Sequence, residues 1–194
     1  LLVMAAAELA YGVSSWQYLQ LAGQIADGAL TEAEIDARWT AFLAFETPML
    51  RVYQIALIAC YVLGASWILG AARNAARLVP DPRRISPGGA LGWYIVPIAN
   101  LFVPFQAMRQ IFNSSTRPPR ELDAPAPSVL HWWWGVWLLV SAIVVITLLL
   151  PVGPDTDMVA TTALIDVVNT PLSVLSLWLW WQVVTLITHL QRAA

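Results

Sequence analysis

Apolar and polar positions along this chain sort into long blocks. Four stretches, roughly 1–25, 50–71, 130–150 and 160–188, are apolar for about the length needed to cross a bilayer. A crossing helix needs about 20 such residues, because about 30 Å of hydrocarbon is spanned at 1.5 Å per residue. No alternating pattern suggests a barrel, and lipid offers no partner to open backbone groups, so the blocks read as helices. A fifth apolar stretch, Leu91–Phe105, is short and carries Pro97 and Pro104. Each proline removes a backbone donor and crowds the preceding turn. The expected fold is therefore an all-α integral membrane protein. It is a single membrane domain over 1–194, with four transmembrane helices plus a proline-broken re-entrant or interfacial segment over 89–112.

Local signals refine the blocks. Thr31-Glu32-Ala33-Glu34 has the spacing of a capping box, so a helix should start there. Ile35, Trp39, Phe42 and Leu43 then share one face. This predicts an amphipathic helix over 32–47 lying on the outer membrane surface, as a connector or as a dock for a partner. Thr47-Pro48 suggests a new start or a kink before the next span. Ala56, Cys60 and Gly64 recur at four-residue spacing, which lets another helix approach closely, within this chain or from another subunit. The run Arg117–Ser128 holds four prolines and reads as an extended connection.

Charge sets the expected orientation. The chain has ten Arg, no Lys, twelve acidic residues and a net charge of −2. Only 11% of residues are charged and 59% are apolar. This is unlike an ordinary soluble enzyme, a disordered tail or a basic nucleic-acid module. Seven Arg fall within 71–129, and Arg192 follows the last span. The 26–50 connection is acidic, with Arg38 inside it and Arg51 at its edge, and the 151–157 connection has Asp155 and Asp157 but no Arg. Positive residues stay inside, which puts both termini and 71–129 in the cytoplasm of a bacterial inner-membrane protein. Both flanks of the fifth stretch are basic, so it should enter and leave on the same side. Trp67, Trp93, Trp132, Trp133, Trp134, Trp180 and Trp181 would then anchor the inner boundary, with Trp16 and Trp39 at the outer one. The chain opens on Leu1, so an N-terminal piece is expected to precede it.

Candidate chemistry is sparse. The chain has no catalytic serine, zinc-protease, phosphate-loop or dinucleotide motif, and one cysteine allows no disulfide, so no enzyme activity and no metal site are expected. Glu8 and Asp166 are the acids placed in or near hydrocarbon, with Asn169 beside Pro171. Intramembrane acids point to function, although an acid hydrogen-bonded near an interface is the plainer account. Asn100 and Gln106 can serve backbone groups released by the prolines of the fifth stretch, and Arg109 can reach the inner boundary. His131 and His189 open and close a hairpin. They could ligate a haem or a chlorophyll magnesium, but interfacial polar residues are the simpler reading, and no cofactor is expected.

The order R-N-A-A-R-L (73–78), S-P (86–87), G-W-Y-I-V-P-I-A-N-L-F-V-P-F-Q-A-M-R (92–109) and a Trp-rich span start at 132–134 resembles the bacterial multi-pass membrane-protein family called domain of unknown function 4328. The resemblance covers roughly 50–190. It implies several spans around the proline-containing segment and supplies no activity. Gln110 departs from the acidic residue that the resemblance implies there.

The functional expectation is a noncatalytic accessory or structural subunit of a larger membrane complex, of photosynthetic or respiratory type. Its partners would be the lipid bilayer and other membrane-protein subunits, and not nucleic acid. The alternative is a small oligomeric transporter or channel component using the re-entrant segment, with Glu8, Asn100, Gln106 and Asp166 along the path.

Overall fold

A computed structural model describes residues 1–149 and 156–193, so the Asp155 part of the short acidic connection lies outside the described residues. The described chain is all-helical: α1 (Leu2–Ala26), α2 (Glu32–Leu78), α3 (Pro87–Gly92), α4 (Val103–Ser115), α5 (Ser128–Leu149) and α6 (Thr156–Arg192). Three helices, α2, α5 and α6, are long and apolar enough to cross a membrane. The fourth apolar block forms α1, which has the length but is diluted by Glu8, Ser14, Ser15, Gln17, Gln20 and Gln24 and is not among them.

The capping box forms. Thr31 N–H donates to Glu34 Oε2 at 2.9 Å, and Glu34 N–H returns to Thr31 Oγ1 at 3.4 Å. The helix it starts does not stop at 47. It runs through Pro48 to Leu78, 47 residues in one element. Residues 32–47 thus form the first third of α2 rather than a separate surface helix. Pro171 likewise sits inside α6.

The contacts group into two compact units. The first comprises Leu1–Ala59 and Leu139–Leu177. There α1 runs antiparallel to the start of α2. Tyr18 packs its ring against Trp39 and Phe42 at 6.1 Å each, and Arg38 Nη1 donates to Gln24 Oε1. The helix approach is close: a Cβ on Gly12 would lie 2.6 Å from Thr170 Oγ1. Buried positions here include Met4, Leu21 and Phe42, but many are small or polar: Ala7, Ala56, Ser14, Ser15, Thr170 and Ser173.

The second unit comprises Cys60–Leu138 and Trp178–Ala194. Its core is aliphatic and aromatic: Ile68, Ala75, Met108, Ile111, Leu130, Trp133, Trp134, Val183 and Ile187 are buried together. Trp133 stacks near Trp180 at 5.1 Å, and Trp180 meets Trp67 edge-on at 5.3 Å. Three consecutive helical residues sweep about 200°, so Trp132, Trp133 and Trp134 cannot all face lipid. Trp132 is exposed, whereas Trp133 and Trp134 are buried in the core.

The proline-containing stretch is a helix–turn–helix piece. Ser86 caps α3 by accepting from Gly89 N–H at 3.0 Å. Ile98 has φ +67° and ψ −54°, and Ala99 N–H closes back on Pro97 O at 2.8 Å. That is a γ-turn of the strained, positive-φ kind, uncommon for a β-branched residue. Pro104 then lies in the first turn of α4, where its missing N–H costs nothing.

Candidate functional site

Polar side chains of the first unit converge on one cavity of about 300 Å³, lined among others by Glu8, Tyr11, Tyr53, Gln54, Asp166 and Asn169. Tyr11 follows Glu8 by three residues, so both project from one face of α1. Tyr53 arrives from α2, and Asp166 and Asn169 from α6. The Tyr11 hydroxyl donates to Asp166 Oδ2 at 2.8 Å, and the Tyr53 hydroxyl donates to Glu8 Oε1 at 3.2 Å. The two phenol rings stack at 5.3 Å with planes 28° apart. Two carboxylates are thus each held by one tyrosine, and the tyrosines hold each other. Thr170 Oγ1 donates to Asp166 O at 2.9 Å, occupying a carbonyl of the turn that carries the acid. Asn169 Oδ1 is buried with no partner among the described residues.

This arrangement can accept from a cation or a donor-rich solute. Each carboxylate keeps an oxygen beyond its tyrosine bond, and the amide oxygen of Asn169 adds a neutral acceptor. No group of three or more metal-ligand side chains occurs among the described residues.

The structure therefore brings Glu8, Asp166 and Asn169 together and adds Tyr11, Tyr53 and Gln54, which the sequence reading did not single out. The Glu8–Tyr11 spacing was the one available signal. Asn100 and Gln106 belong to the second unit and are not cavity residues. Their expected backbone role falls to another group. Trp134 Nε1 donates to Leu101 O at 3.2 Å, while Asn100 Oδ1 has no partner among the described residues and Gln106 is exposed. Ala56 is buried in the first unit, and a Cβ on Gly64 would lie 3.9 Å from the Trp180 ring in the second. Cys60 is half-buried. His131 Nδ1 lies 3.2 Å from Pro127 O, with its ring against Phe105 at 5.1 Å, and His189 is exposed in the last turn of α6.

In the second unit, a polar row on α4 ties down the long connection. Gln110 Oε1 accepts from Ile85 N–H at 2.9 Å, and Asn113 Nδ2 donates to Leu122 O and Ala124 O at 3.1 and 2.8 Å. Arg84 Nη2 donates to Ser114 Oγ at 2.6 Å and to Val79 O at 2.9 Å. Burial lowers the Arg84 guanidinium from its ordinary value. Gln110, the departure from the resemblance, does its work through an acceptor oxygen, which a carboxylate would also offer. Arg109 pairs with Asp123 at 2.8 Å. Nearby, Arg83 bonds Asp81 and holds that carboxyl below the usual carboxylate range.

No curated protein and no solved structure matches the chain. A family model, "Domain of unknown function (DUF4328)", matches residues 31–189. That match includes α2, the proline-containing motif and α5, and ends in the last turn of α6, so the chain belongs to the family of the domain of unknown function DUF4328.

Proposed function

We propose that this is a membrane-embedded solute-handling protein, a small transporter or channel component, whose binding site is the cavity around Glu8 and Asp166. The single observation that carries this reading is the pair of tyrosine-held carboxylates facing a space of about 300 Å³. Carboxylates are costly in hydrocarbon and are kept there mainly for ions, protons or substrate. The solute is a cation or an amine-bearing molecule, since the oxygens facing the cavity accept and do not repel positive charge.

In this reading α1 joins α2, α5 and α6 as a fourth membrane helix. Its exposed positions Leu2, Val3, Leu9, Val13 and Trp16 face lipid. Both termini and the Arg-rich 71–129 connection lie in the cytoplasm, and the membrane is the bacterial inner membrane. The 89–112 segment dips into the inner leaflet. Its exposed Ile95, Ile98 and Phe102 would otherwise face water.

Cation flux into liposomes holding the purified protein tests the proposal. Wild type should conduct or exchange a monovalent cation or a small amine, and Asp166→Asn and Glu8→Gln should each lose most of that flux. Flux that is equal in all three proteins would remove the reading. A second reading, a noncatalytic accessory subunit, rests on the exposed strip Val52, Ile55, Ile58 and Val62 of α2 as a packing face. Co-migration with other membrane proteins on native gels, together with absence of flux, would favour it.

A further inference from the structure

The second unit holds another cavity, with chemistry opposite to the first. In this unit α2 and α6 run side by side in the same direction. Trp67 Nε1 donates to Thr188 Oγ1 at 3.1 Å, and three residues of α6 later Gln191 Nε2 donates to Ala71 O at 3.0 Å. Asn74 Nδ2 donates to Gln191 Oε1 at 3.2 Å. Between the helix ends lies a space of about 300 Å³, lined by Trp67, Gly70, Asn74, Thr188, Gln191 and Arg192 among others. No side-chain carboxylate lines it among the described residues. Arg192 has no acidic partner among the described residues, and neither do Arg73 and Arg77 on the adjoining turns of α2. The C-terminal carbonyls of α6 contribute about half a negative charge there. The full charge of Arg192, which lines the cavity, outweighs that.

We infer that this cavity binds the phosphate headgroup of an anionic phospholipid, with Arg192 and Asn74 at the phosphate and the Gly70–Trp67 wall beside the first acyl carbons. A basic pocket between membrane helices at the Arg-rich side is where such lipids are held. The indole of Trp67 has an apolar face for a chain and an N–H already committed to Thr188, which marks a boundary between wet and apolar surroundings. Gly70 leaves that wall open, for a Cβ there would meet nothing within 4 Å. Among the described residues the cavity has a cationic side chain and no side-chain carboxylate to balance a bound cation. The inference is independent of the solute cavity, which lies in the other unit.

Native mass spectrometry of the full chain, released from mild detergent with equal phosphatidylglycerol and phosphatidylcholine of matched chains, tests it. Phosphatidylglycerol should be retained in preference. Arg192→Gln should lower that retention about five-fold, the worth of one arginine near a headgroup. Gly70→Leu fills the space without changing charge and should abolish retention. Both positions tolerate the change, since Arg192 is exposed and leucine favours the helix. Equal retention of the two lipids, or phosphatidylglycerol retention unchanged in both variants, would overturn the assignment. Inorganic phosphate is the third probe. If the protein binds it, loses it in Arg192→Gln and retains no phosphatidylglycerol, the site serves free phosphate and the lipid assignment fails.

Discussion

Buried polar groups serve different ends in the two units. In the unit of residues 1–59 and 139–177, the acids Glu8 and Asp166 are each held by one tyrosine hydroxyl and face open space. In the other, Gln110, Asn113 and Ser114 bond to backbone around α4 and the long connection, and Gln191 of α6 donates to Ser115 Oγ of α4. The first unit buries many small residues beside Met4, Leu21 and Phe42. The second buries Trp133, Trp134, Met108 and Ile187. The second unit also keeps buried atoms without a partner among the described residues, Asn100 Oδ1 and Asn113 Oδ1 included, but its polar side chains mainly tie backbone segments together, whereas the acids of the first unit hold spare acceptor oxygens toward a cavity. The difference teaches that buried polarity marks a site where acids with spare acceptor oxygens face open space, and not merely where a buried polar atom lacks a partner.

The largest effect should come from the aromatic core. Trp133→Ala should cost the second unit about 3–5 kcal/mol, by removing contact with Trp134 and Trp180. A detergent melting curve measures this, and an unchanged midpoint would place the stability elsewhere. Next is Gly12→Ala. Its Cβ must push against Thr170, so the first unit should lose about 1–3 kcal/mol, and solute binding should weaken with it because Thr170 bonds the carbonyl of Asp166. Asn113→Ala should cost about 1–3 kcal/mol by leaving Leu122 O and Ala124 O without their donor. It should leave solute affinity alone. If Asn113→Ala abolished binding while Gly12→Ala did not, the contrast between the units would be reversed.

The smallest effect concerns Asp81. Its carboxyl is held below the ordinary value chiefly by the Arg83 side chain, so folding binds fewer protons there than the unfolded chain does. That contribution is present above the ordinary aspartate value and fades as pH falls through the lowered one. Asp81→Asn should therefore change stability slightly near neutral pH and not at all in strong acid. Melts across pH 2–7 check the sign, at about 0.1 M salt where an exposed pair is already partly screened.

Legibility in the sequence followed the range of the interaction. The capping box at Thr31–Glu34 is local, and it formed where its spacing placed it. The long apolar blocks became α2, α5 and α6 because length and hydropathy suffice to define them. The continuation of α2 through Pro48 was not legible: a proline reads as a boundary, but packing of Trp39 and Phe42 against Tyr18 supports the helix on one side of it. For the site, Glu8, Asp166 and Asn169 could be picked out as polar residues in apolar runs. The pairing of Glu8 with Tyr53 and of Asp166 with Tyr11 could not, because the first bond joins positions 45 residues apart and the second positions 155 apart. The burial of Trp133 and Trp134 was not legible for another reason. Indole is both a boundary residue and a core residue, and only the helix phase decides which.

A cation-induced infrared difference spectrum of the protein in lipid tests the central claim most directly. If Glu8 and Asp166 receive the solute, adding it should shift carboxylate and tyrosine bands together, and the carboxylate bands should vanish in the Glu8→Gln/Asp166→Asn double variant. A spectrum without carboxylate change, or one with the same bands in the double variant, would contradict the account.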